Sequence, residues 1–93
     1  MSNEIHLEKD KILCPFLLAA SFNGLITFQG SNIDHSVLQW QFCPKKNAQE
    51  LINSFYTKQE PHIPARDIFE ATATFWKQIS EMRNGEKRNE RYR

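Results

Sequence analysis

The chain has 93 residues, 40% of them apolar and 12% aromatic, which sets it at one small domain and excludes a wholly disordered polymer. Twelve Lys/Arg against eleven Asp/Glu leave a net charge of +1, so no global field draws it onto nucleic acid or an anionic membrane. The longest apolar run, Ile12 to Ala20, contains Pro15 and falls short of the ~20 residues a membrane-spanning helix needs. Met1 to Glu8 carries two acidic residues and no basic start of a signal peptide. Cys14 and Cys43 stand far apart, each before a proline. They read as buried thiols in a reducing compartment rather than as a disulfide framework. A cytoplasmic protein without a membrane span is the expectation.

In chain order, residues 1–10 are polar, with a brief alternation at Ile5 and Leu7, and suit a flexible arm or a short edge strand. Pro15 suits the first residue of a helix, where its missing N–H has no partner to lose. Phe16 to Ala20 and Phe22 make that helix apolar nearly all round, hence buried, and Asn23-Gly24 supplies its left-handed stop. The period then changes to two. Ile26 and Phe28 alternate with Thr27 and Gln29, and Leu38, Trp40 and Phe42 alternate with Gln39 and Gln41. Gly30 to Ser36 between them is dense in turn formers, which predicts an antiparallel hairpin joined by that loop.

After Pro44 the helical period returns, with Ala48, Leu51, Ile52, Phe55 and Tyr56 on one stripe and Asn47 with Glu50 resembling a capping box. Pro61 follows the end of this helix, and Pro64 opens the last one, whose predicted stripe is Ile68, Thr72, Phe75, Trp76, Ile79 and Met82, with Phe69 beside it and Gly85 at its end. On this pattern Trp40 and Trp76 both belong to the core. From Arg83 onward five basic residues stand against two acidic, +3, which leaves −2 for the rest of the +1 chain. The expected fold class is α+β, in the order helix, strand, strand, helix, helix, the hairpin covered by helices. The domain spans 11–84, and 85–93 form a disordered basic tail.

The run Pro15-Phe16-Leu17-Leu18-Ala19-Ala20, Gly24, Leu38-Gln39-Trp40-Gln41-Phe42, Asn53-Ser54-Phe55-Tyr56 and Ile63-Pro64-Ala65-Arg66-Asp67-Ile68-Phe69 resembles a family of small uncharacterised α+β domains of bacteria, archaea and phages. The resemblance covers about residues 11–82 and departs at the basic tail. It implies the α+β fold and a phage or mobile-element setting, and it carries no activity.

Catalytic chemistry finds little support. His6, His35 and His62 fall in the arm, the hairpin loop and an interhelical linker, where solvated histidines belong. Cys14 sits ahead of a helix start, a placement that can activate a thiol, but a small buried hydrophobe is the simpler reading. Neither Cys-x-x-Cys nor His-x-x-x-His occurs, and glycines at 24, 30 and 85 make no phosphate loop. Asp67 and Glu70 read as first-turn charges favoured by the helix dipole. The sequence thus points to no enzyme, no metal and no cofactor. Its leading expectation is a small adaptor that binds a protein partner, as monomer or homodimer, through aromatic edges at Tyr56 and Phe69 and through the edge of the second predicted strand, Leu38 to Phe42. The alternative is nucleic-acid binding by the tail, with Arg83, Lys87, Arg88, Arg91 and Arg93 on phosphates and Tyr92 stacked on a base.

Overall fold

The computed structural model describes residues 4–91 apart from Ser36 and Glu60, with side chains as far as Arg83. Six elements follow one another: β1 (His6–Glu8), α1 (Leu13–Phe22), β2 (Thr27–Asp34), β3 (Val37–Cys43), α2 (Lys45–Tyr56) and α3 (Ala65–Arg91). The fold class is the expected one, an α+β domain. The hairpin gains a third strand from the N-terminal arm, giving the antiparallel sheet order β1-β3-β2, so β3, the strand expected to offer an edge to a partner, is paired on both sides and offers none.

Helix α1 starts two residues before Pro15; its N-cap Ile12 has no side-chain cap of its own, and Asp10, two residues earlier, caps the end instead. One Asp10 carboxylate oxygen accepts the backbone N–H groups of Ile12 (2.7 Å) and Leu13 (2.9 Å), and the Asp10 carbonyl accepts that of Cys14 (2.9 Å). Pro15 is then the third helical residue, still within the first turn, where no intrahelical donor is lost. The two N–H groups favour the charged carboxylate and hold the Asp10 carboxyl below its usual range. A group with a depressed folded pKa stabilises the fold above the ordinary carboxylate range and loses that contribution as pH falls through it. Asp10→Ala is therefore expected to cost about 1 kcal/mol at neutral pH. Its melting temperature should converge on the parent's as the pH falls below the carboxylate range. A gap that stays constant with pH would show that the carboxylate charge is not what caps the helix.

From Leu13 to Ala20 every α1 residue is buried. The helix lies in the middle of the molecule, with Cys14, Leu17, Leu18 and Ala20 in one core with Trp40, Phe42, Ala48, Ala71 and Phe75. It ends at Asn23 and at Gly24, whose φ of 76° is the left-handed turn expected from the sequence. The Asn23 side-chain amide donates to the Ala19 carbonyl (2.9 Å) and to Asp67 (3.0 Å), which places the C-terminal end of α1 beside the first turn of α3.

The loop expected over Gly30–Ser36 is mostly strand. β2 runs to Asp34, which pairs with Val37 across a two-residue turn, and His35 takes φ 50° there. A two-residue hairpin needs positive φ to match the strand twist, so Asn32 and Asp34 serve the ladder, although turn formers by composition. The register slips between Phe28 and Gly30, and Gly30, at φ 121°, accommodates that bulge. In β3 the alternation holds. Leu38, Trp40 and Phe42 are buried toward the helices, while Gln39, Gln41 and Cys43 are partly exposed on the opposite face. On that uncovered face Gln41 donates to Asn32 (3.0 Å) and Gln29 to Cys43 Sγ (3.0 Å).

Helix α2 begins at Lys45 with Pro44 at its N-cap and no side-chain cap, so Asn47 and Glu50 do not form the expected capping box. They lie inside the first two turns. Helix α3 starts one residue after Pro64, whose carbonyl accepts the N–H groups of Asp67 (2.9 Å) and Ile68 (3.3 Å). It continues through Gly85, where the sequence predicts a stop, and reaches Arg91. At 1.5 Å per residue it is roughly 40 Å long.

Candidate interaction surface

Which face of α3 meets the core decides which side chains remain for a partner. Buried Ala71 and Phe75, with half-buried Ile68, Ile79 and Met82, are the inward residues. Trp76 is not among them, contrary to the sequence reading: it is 46% exposed and meets the core ring of Phe75 edge-on, at 5.2 Å between ring centroids. Its place is taken by Ala71. A small residue carries little hydrophobic signal, yet at a tight contact between helices it is what fits. Trp40, by contrast, is fully buried between Phe28 and Phe75, at 5.4 Å from each ring.

The outward face of α3 thus presents Phe69, 73% exposed, and Trp76 one heptad later. Thr72, half-buried, joins this stripe to a shallow apolar groove lined by Ile12, Pro15, Phe16, Phe55 and Ile68. Ile12 is 58% exposed at its rim. Tyr56, 67% exposed, stands at the end of α2 and packs edge-on against Phe55, with centroids 5.5 Å apart. Tyr56 and Phe69 are therefore both at the surface, and Trp76 and Ile12 join the candidate surface. The signal for Trp76 in the sequence is its spacing of seven from Phe69. Arg83 is exposed. The side chains of Lys87, Arg88 and Arg91, and all of Tyr92 and Arg93, lie outside the described residues, but the backbone of the tail expected to be disordered continues α3 as far as Arg91.

The groups considered for chemistry do not converge. His35 and His62 are exposed, whereas His6 is not the solvated arm residue expected. It lies on β1 opposite Phe42 and pairs with Glu8 at 2.8 Å. Asp67 accepts from Asn23 (3.0 Å), and Glu70 pairs with Arg66 (3.1 Å), both at the exposed start of α3. Among the described residues no three His, Cys, Asp or Glu side chains are arranged to hold a metal ion. Nor, among them, is any helix long and apolar enough to cross a membrane.

Cys14 is fully buried, and its burial, reinforced by the charges of Glu8 and Asp10, pushes the thiol pKa up. That is the reverse of activation. In the folded protein a thiol reagent is expected to modify Cys43 and spare Cys14, with both reacting after denaturation. Rapid native labelling of Cys14, located by peptide mapping, would contradict this burial.

No family model, no curated protein and no solved structure matches this chain. The surface chemistry described above is what its function has to be read from.

Proposed function

We propose that this protein is a small non-enzymatic binding module, cytoplasmic in setting, that docks a protein partner on the outward face of α3. The observation that carries the reading is the pair of large aromatics, Phe69 and Trp76, exposed one heptad apart on a helix whose other face packs on the core through Ala71 and Phe75. Aromatic side chains of this kind supply most of the binding energy at interfaces, because each desolvates a large area at little conformational cost. Tyr56 and the groove at Ile12 extend the same apolar chemistry, and the phage or mobile-element setting implied by the family resemblance belongs to this reading.

The test is capture from cells that make the tagged chain, identifying every retained protein, further copies of the chain included. A Phe69→Ala/Trp76→Ala variant with an unchanged far-ultraviolet dichroism spectrum serves as the comparison. The parent should retain partners that the variant loses. Identical sets from both would reject the face. The nucleic-acid alternative is separated by fluorescence anisotropy with labelled oligonucleotides. Phosphate contacts would weaken binding steeply between about 50 and 200 mM salt, and such binding, lost on truncation after Arg83, would replace a protein partner with a nucleic acid.

A further inference from the structure

The outward face of α3 holds more than its two aromatics. Phe69, Ala73, Trp76 and Ser80 recur at i, i+4, i+7 and i+11, one stripe along the helix, and all four are exposed. Along one flank of that stripe run Arg66, Glu70, Lys77 and Glu81, also exposed, in the sign order plus, minus, plus, minus. We infer that the partner of this face is a second copy of the chain, packed antiparallel through α3 about a two-fold axis beside Ala73. The inference rests on the reading of this face as an interaction surface and names its occupant.

Charge and size both select this arrangement. In an antiparallel helix pair, like flanks face each other; flank residues meet at a constant sum of their positions, and residues on the seam between the helices at sums about one or two lower. One register sets Arg66 against the partner's Glu81 and Glu70 against the partner's Lys77, and two-fold symmetry makes each contact twice. The existing Arg66–Glu70 ion pair, 3.1 Å long, then becomes part of a network shared by both copies. The same register brings Ala73 close to its own copy at the axis, where a small side chain lets the helices approach, and sets Phe69 beside the partner's Trp76. In a parallel pair the charged flank would instead face the flank bearing Ala65 and Thr72, where no such matching exists.

A contact of this extent falls in the small-interface class, so self-association in the micromolar range is the expected strength. Sedimentation of the full chain over roughly 1 to 500 µM, the range in which such interfaces are populated, should show the mean mass climbing from one copy toward two. Ala73→Glu brings two carboxylates to the axis and should remain monomeric throughout, with its helical dichroism unchanged because the position is exposed. Lys77→Glu opposes Glu70 of each copy and should weaken the dimer about tenfold or more. The double reversal Glu70→Lys/Lys77→Glu re-forms both pairs and should recover most of the loss. A parent chain that stays monomeric overturns self-pairing and leaves the capture experiment to judge the face itself. A dimer that survives Ala73→Glu, or a double reversal no tighter than the single one, overturns the arrangement.

Discussion

Trp40→Ala is expected to cost about 3–5 kcal/mol, a large part of the roughly 5–14 kcal/mol available to a domain of this length. The indole is fully buried at the centre of the sheet, with Phe28 and Phe75 packed against it in tilted pairs and Phe42 two residues along the strand. Truncation leaves a cavity between sheet and helices that neither rigid layer can close. Trp40→Phe should behave quite differently. Among the described residues the indole Nε1–H has no hydrogen-bond partner, and an unsatisfied buried donor carries a penalty of about 1–3 kcal/mol. Removing it offsets much of the lost packing area, so the Phe variant should lie within about 1.5 kcal/mol of the parent, the scale of well-tolerated core swaps. Urea denaturation of both variants checks this. A Phe variant as unstable as the Ala variant would show that the N–H makes a stabilising contact.

Leu17→Ala is the second large effect, about 2–5 kcal/mol. Leu17 is fully buried at the middle of α1, with buried residues on every side of that helix. Relaxation into the gap is limited because α1 is held at both ends, by the Asp10 cap and by the Asn23–Asp67 hydrogen bond (3.0 Å). Phe22→Ala in the same helix, at a half-exposed side chain, should cost less than half as much despite removing more atoms. Equal losses would mean that α1 is less central than its burial indicates.

The elements most legible in the sequence are those whose periodicity reports a half-buried surface. Leu38-Gln39-Trp40-Gln41-Phe42 reads as a strand because one face meets helices and the other water, and that is its arrangement. The burial of α1 is legible for a different reason: a helix apolar all round has no face to offer solvent. β1 is ambiguous in the sequence because three residues are too few for a period, and its pairing with β3 is a long-range choice. The loop assigned to Gly30–Ser36 fails because composition cannot separate an exposed edge strand from a turn. Asn32 and Asp34 face solvent in either case. The candidate surface is half legible. Tyr56 and Phe69 stand at the edges of apolar stripes, but the size of Trp76 points it inward, and only the fit of Ala71 against the core shows which way α3 is turned.

The burial of α1 also constrains how the protein comes off the ribosome. Leu17 and Cys14 share their core with Ala71 and Phe75, which emerge more than fifty residues later. At about 5–20 residues per second, the most apolar segment waits several seconds for its cover. During that interval the nascent chain displays a sticky helix beside an unfinished sheet, the state that holding chaperones bind. Folding of this domain therefore waits on the synthesis of α3, and its yield in cells should depend on chaperone supply more than its final stability would suggest.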